Sequence, residues 1–245
     1  MATALFLSPH LDDVAFSCGG LLAQLGDQGW TTVLATAFTA TVLPATGFAL
    51  ACQLDKGLGP EVDYMALRRE EDRRAAEILG VAELRWLGLP EAPHRGYGSA
   101  PELFGAVRPE DGVWRPLAAM VAGLIAELRP DQILGPQGLG GHVDHLQLIR
   151  AVREAAGAIP VAWYRDTPYA ARHAIAPDPA ESIVPIGAGL ARKLEASCAY
   201  ASQIGFQFGG AGPAAAALRA FAIREGDGQP AERFSGKLLP AVLWP

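Results

Sequence analysis

Residues 3–20, TALFLSPHLDDVAFSCGG, carry the reading that decides the fold. Ala4-Leu5-Phe6-Leu7 is a short unbroken apolar run, and residues 3–8 read as a buried β-strand. Directly after it stand a histidine and two adjacent carboxylates, His10, Asp12 and Asp13. Charged groups beside a buried strand are costly unless they are paired or bound to a metal. Residues 14–28 then read as a helix with Gly19 and Gly20 inside it, so the stretch is a strand feeding a helix.

The same alternation continues along the chain. Residues 31–38 (TTVLATAF) read as a second strand, and 39–62, rich in Gly, Pro, Ala and Thr, as a long loop. A loop of that length in a compact domain is a candidate binding loop. Residues 64–80 (YMALRREEDRRAAEILG) form a helix with Leu67, Ala75, Ile78 and Leu79 inward and Gly80 as its stop. A strand at 84–89, a loop from Pro90 to Asp111, a helix near 115–128, a strand at 131–136, a helix from Val143 to Ala156 and a strand at 161–166 follow. Strands alternating with helices predict a mostly parallel sheet with helices on both faces. The expectation is one Rossmann-like α/β domain over 1–245. His10, Asp12 and Asp13 then fall at the carboxyl end of the first strand, the rim where such sheets bind ligands.

The totals narrow the function classes. Half of the 245 residues are hydrophobic and 19% are charged, which fits a well-filled core. A net charge of −6, with no basic run, argues against nucleic acid as a partner. Cys18, Cys52 and Cys198 form neither an even framework nor a CxxC pair and read as reduced, small hydrophobes. The N-terminus has no basic segment, and its apolar stretch is too short for a signal peptide or a membrane span. A soluble cytoplasmic protein is expected.

A second cluster, GGHVDH at 140–145, also follows an apolar strand and opens a helix. Its His142 and His145 are three residues apart, on one face of a first helical turn. Three of the five histidines lie in the two clusters. Two histidines and a carboxylate, with one position left to water, make a catalytic zinc arrangement. Bound zinc acidifies its water and polarises a carbonyl; a spare carboxylate then takes the proton and a spare histidine stabilises what forms. Aspartate is also a good helix cap, which for one cluster alone is the better reading. Two clusters at matching strand ends favour a shared site. In an extended segment His10 and Asp12 share a face; in a helical turn His10 and Asp13 do.

PHLDD followed by Gly-Gly, and GGHVDH further on, resemble the PIG-L/LmbE family of zinc-dependent N-deacetylases. RREEDRRAAEILGV (68–81) is similar to that family's Arg-x-x-Glu helix, and PDQILGPQGLGGHVDH (130–145) to its strand and turn before the second motif. YASQIGFQFGG (200–210) and ERF (232–234) resemble the C-terminal part of one bacterial branch. The resemblance implies hydrolysis of the N-acetyl group of an N-acetylglucosamine-type sugar or related small-molecule amide. It implies His10, Asp13 and His145 as zinc ligands and Asp12 as general base. His142, as a cation, would stabilise the oxyanion and could serve as general acid toward the leaving amine, and Asp144 would orient or charge it. Arg68 corresponds to a substrate-binding arginine, its alternative being a solvated helix residue. The implied ion is Zn2+, and Fe2+ accepts the same ligand set.

Two positions depart from the family pattern: Val14 stands where Glu is usual, and Glu91 where Asp is. Both bear on the substrate more than on the chemistry. Cys18 reads as a small buried residue, and Gly19-Gly20 as the place where the helix packs closely. His94 and His173 read as surface residues, and Arg192 and Lys193 as solvated. Residues 163–173 (WYRDTPYAARH) can line a pocket, although nothing in their spacing demands it. The alternatives are a non-haem Fe(II) oxygenase, whose usual scaffold is a jelly roll, and a non-catalytic sugar- or nucleotide-binding α/β module.

Overall fold

A computed structural model describes residues 1–243 apart from 174 and 177. The first half runs β1 (Thr3–Ser8), α1 (Asp13–Asp27), β2 (Thr31–Phe38), α2 (Gly47–Leu54), α3 (Tyr64–Leu79) and β3 (Glu83–Leu89). A single-turn helix α4 (Ala100–Leu103) leads to α5 (Trp114–Leu128), β4 (Gln132–Pro136), α6 (Val143–Ala155) and β5 (Val161–Tyr164). The rest is α7 (Tyr169–Arg172), β6 (Ser182–Pro185), α8 (Leu190–Ala199), α9 (Ala201–Phe208), α10 (Ala211–Glu225), β7 (Ala231–Gly236) and α11 (Pro240–Leu243).

The seven strands form one sheet in the order β3-β2-β1-β4-β5-β7-β6. β1 to β5 are parallel, and β7 and β6 complete the sheet antiparallel. Alternation along β1 explains its unbroken apolar run, because successive side chains point to opposite faces. Ala4 and Phe6 join a core with Phe16, Leu21 and Leu22 of α1 and Leu194 of α8. Leu5 and Leu7 enter a second core with Leu117 and Val121 of α5 and Leu148 and Val152 of α6. This parallel α/β sheet is not the jelly roll of the oxygenase alternative. No helix among the described residues is long and apolar enough to cross a membrane.

Strand order reverses between β1 and β4, and the two paired strands point the same way. The connections leaving their carboxyl ends therefore diverge to either side and open a crevice, the usual ligand position in such sheets. Both His/Asp clusters start at that crevice.

Two expectations are corrected, and the C-terminal elements are new. The segment 39–62 is not all loop, since α2 lies within it. The antiparallel β6–β7 pair and helices α8 to α10 lie beyond the regular alternation. Lys193 is buried, not solvated. The reason is in α1, which breaks at Cys18 (φ −134°, ψ 23°) and so leaves fresh backbone N–H groups without helical partners. The Glu232 carboxylate of β7 accepts from Gly20 and Leu21 N–H, each at 2.9 Å. Lys193 Nζ then meets Glu232 Oε1 at 2.7 Å and Ser17 O at 3.0 Å. A Cβ on Gly20 would lie 2.7 Å from Ile186 Cδ1, so the close packing expected of this glycine pair is present.

Candidate active site

The two clusters meet. His10 Nδ1 stands 3.2 Å from Asp13 Oδ2, and His145 Nε2 stands 3.4 Å from the same oxygen. The three residues face one another closely enough to hold one metal ion. Each histidine is braced from behind by a carboxylate. His10 Nε2 lies 3.0 Å from Asp144 Oδ2, and His145 Nδ1 lies 2.5 Å from Asp166 Oδ1. His145 Nε2 is buried without a hydrogen-bond partner, although it faces Asp13. A buried ring nitrogen left open, aimed at a carboxylate and a second imidazole, fits a metal ligand. Two nitrogens and one oxygen suit zinc or iron. His142, His10 and Asp144 form an overlapping candidate group.

Electrostatics agree with that fit. Burial works to lower His10, but hydrogen bonds to Asp13 and Asp144 outweigh it and hold the ring well above its ordinary pKa. His145 is raised against the same burial penalty by Asp13 and Asp166. Burial would raise Asp13, yet His145 and His10 bring it down to about 2. The Asp13 carboxylate is therefore held ionised between the two imidazoles, the form in which a carboxylate binds a metal.

Asp12 is the N-terminal flanking residue of α1, but its side chain makes no capping bond, so the capping alternative fails there. Its carboxylate lies 3.5 Å from Arg68 Nη2 and accepts from Gln207 Nε2 at 3.3 Å. Burial pushes Asp12 up to about 6, with the Arg68 charge opposing. Arg68 is buried, not solvated: its Nη1 meets Glu91 Oε1 at 2.6 Å and its guanidinium lies over the Tyr64 ring. Glu91, which departs from the family pattern, is thus the counter-ion of Arg68.

His142 caps α6, and its Nδ1 accepts from the Asp144 backbone N–H at 3.2 Å. That bond leaves the proton on Nε2. Burial, with the neighbouring His10 charge, pushes His142 down to about 3, so the ring is a neutral donor and not the expected cation. The Asp144 carboxylate is directed elsewhere than at His142. It serves His10, accepts from Arg95 Nη2 at 2.7 Å and from Ala92 N–H at 3.1 Å, and is held below the usual carboxylate range despite burial.

These groups floor a cavity of about 290 Å³. Its walls include Val42, Leu43 and Phe48 from the 39–62 segment, together with Phe104 and Phe206. His94 lines the cavity, whereas His173 is exposed. Pro168 and Tyr169, from the 163–173 stretch, line it too. Sequence reading missed Asp166, Arg95 and Gln207. Asp166 carried a usable signal, because like Asp12 it follows an apolar strand at the same rim of the sheet. Arg95 and Gln207 carried none, since a loop arginine and a helical glutamine are commonplace.

Comparisons with known proteins agree with this geometry. A protein of Streptomyces fradiae described as 2'-N-acetylparomamine deacetylase is 40% identical over 168 residues, covering 68% of this chain and 57% of that relative. The chain thus spans little more than half that relative's length. A protein of Niallia circulans with the same description is 29% identical over 190 residues, covering 69% of this chain and 68% of its own. The solved zinc-inhibited form of teicoplanin deacetylase Orf2 superposes with a TM-score of 0.83 at 23% identity, covering 96% and 97% of the two chains. At that identity the likeness speaks for the fold. Residues 5–156, which carry both His/Asp clusters, match the GlcNAc-PI de-N-acetylase family, and the chain belongs to that PIG-L family.

Proposed function

We propose that this chain is a zinc-dependent N-deacetylase that releases acetate from an N-acetylated amino sugar. The observation that carries the proposal is the convergence of His10, Asp13 and His145 beside a carboxylate, Asp12, that is left out of the trio. The class of substrate is supported by the family and by the names of both curated relatives.

His10, Asp13 and His145 would hold the ion, with His10 at the cavity surface. Bound zinc supplies an acidified water and a polarised amide carbonyl. Asp12 takes the proton of the attacking water. Its pKa, lifted toward neutrality by burial, suits a group that must accept and then return a proton. His142 offers its Nε2–H to the carbonyl oxygen as negative charge develops there. As a neutral donor fixed by the Asp144 N–H, it needs no protonation change to do so. Asp12 returns its proton to the departing nitrogen as the C–N bond breaks. Water and the N-acetyl group thus become acetate and a free amine. Arg68 and Gln207 hold the two oxygens of Asp12 in place throughout.

The test is acetate release from N-acetylglucosamine and from N-acetylated paromamine by metal-stripped protein reconstituted with zinc. Asp12→Asn should retain zinc and lose about 100-fold or more in kcat. His145→Ala should lose the zinc itself. No acetate from either substrate by fully zinc-loaded protein would leave the binding-module reading in its place. Loss of zinc from Asp12→Ala but not from Asp13→Ala would reverse the roles of the two aspartates.

A further inference from the structure

His145 is anchored by a residue outside the 5–156 span of the family match. Asp166 lies just past β5, with both its side chain and that of His145 fully buried. Its Oδ1 stands 2.5 Å from His145 Nδ1. Its Oδ2 accepts from Gly138 and Leu139 N–H at 2.7 and 2.9 Å. Those donors belong to the turn between β4 and α6, where Gly138, Gly140 and Gly141 all have positive φ (89°, 89° and 71°). With Oδ2 engaged as an acceptor by two backbone N–H groups, the geometry makes Oδ1 the acceptor facing Nδ1 and assigns the proton to that nitrogen. The lone pair of Nε2, buried, unpartnered and 3.4 Å from Asp13 Oδ2, is then free for a metal.

We propose that Asp166 is a positioning residue for the metal: it selects the Nδ1–H tautomer of His145 and ties that ring to the β4–α6 turn. The inference rests on the reading of His10, Asp13 and His145 as a zinc site. A carboxylate behind a ligating imidazole fixes its orientation and raises its basicity, and removing one typically weakens metal binding by about 10–100-fold. A purely structural role would instead confine the loss to the stability of the turn.

Asp166→Asn separates the two roles. Asparagine has one carbonyl oxygen where the carboxylate has two acceptors. If that oxygen serves Gly138 and Leu139, the amide NH2 faces His145 Nδ1 and drives the proton to Nε2, blocking the lone pair. The measurement is the zinc dissociation constant of metal-stripped wild type, Asp166→Asn and His145→Ala, by competition with a chromophoric chelator, alongside the urea midpoint of each metal-free protein. Zinc affinity lower by about 10-fold or more in Asp166→Asn, with a urea midpoint near that of wild type, supports the proposal. Affinity within about twofold of wild type overturns it, whatever happens to the midpoint. Should Asp166→Asn not fold, ¹⁵N-histidine spectra of the zinc-loaded wild type decide: a proton on Nδ1 of His145 and zinc on Nε2 support the proposal, and the reverse overturns it. Zinc binding unchanged in His145→Ala would instead remove the metal-site reading and Asp166's role with it.

Discussion

At the residue scale the least expected arrangement is the row Glu91–Arg68–Asp12. An arginine that reads in sequence as a substrate contact or a solvated helix residue has its guanidinium between two carboxylates, 2.6 and 3.5 Å away. Held there, it acts on the ionisation of Asp12. Burial raises that carboxyl and Arg68 opposes the rise, because a nearby cation favours the charged form. Removing the cation therefore lifts the pKa further, and the base is lost at a higher pH. Arg68→Met should move the acidic limb of the kcat/KM–pH profile upward by about one unit or more. A profile with an unmoved limb and a raised KM would make Arg68 a substrate contact instead. Glu91→Gln should move the limb the other way, since it frees Arg68 from its nearer partner. The motif spacing pointed to a shared His/Asp site, whereas the choice of Asp13 over Asp12 as a candidate ligand came only with the family resemblance. The roles of Arg68 and Glu91 were not legible, because a helix arginine and a loop acid reveal their pairing only once folded.

At the element scale the break in α1 shows how a distant strand completes a local structure. The kink at Cys18 opens a second helix start inside the core, and Glu232 satisfies two of its N–H groups. A buried carboxylate without a cation is strongly unfavourable, and Lys193 supplies that cation from α8. Lys193→Met leaves Glu232 uncompensated, for which the expected loss is about 3–5 kcal/mol in urea unfolding. The double variant Lys193→Met/Glu232→Gln should recover part of it, since the remaining amide oxygen still accepts a backbone N–H and carries no charge. A loss below about 1 kcal/mol for Lys193→Met would mean that Glu232 is solvated or protonated in the folded protein. Sequence reading placed α1 and its two glycines but not the break, because nothing in a helix's own residues states which neighbour will cap it. ERF at 232–234, which resembles the C-terminal part of one bacterial branch, contains that neighbour.

At the scale of the whole molecule, the parallel part of the sheet was readable and the C-terminal part was not. β1 to β5 announce themselves as short apolar runs separated by amphipathic helices, a pattern imposed by burial on both faces. β6 and β7 are antiparallel edge and near-edge strands with exposed positions such as Ile183, and α8 to α10 follow one another without an intervening strand. No alternation marks them. The family match also stops at residue 156, which raises the question of whether that segment is a folding unit. The contacts argue that it is not. Phe16 of α1 packs edge-on against Tyr200 and Phe208, and the core holding Phe6, Leu21 and Leu22 also contains Leu190, Leu194 and Phe234. Uncovering a buried Leu or Phe side chain forfeits roughly 1.5–3 kcal/mol. A handful of these already equals the roughly 5–15 kcal/mol that keeps a domain folded. Removal of residues 157–245 also takes away Asp166, Lys193 and Glu232. The fragment 1–156 should therefore show no cooperative urea transition and no specific zinc binding, even though it contains His10, Asp13 and His145. A cooperative transition with one tightly bound zinc would instead make the matched segment an autonomous metal-binding unit, with the C-terminal elements serving to close its cavity.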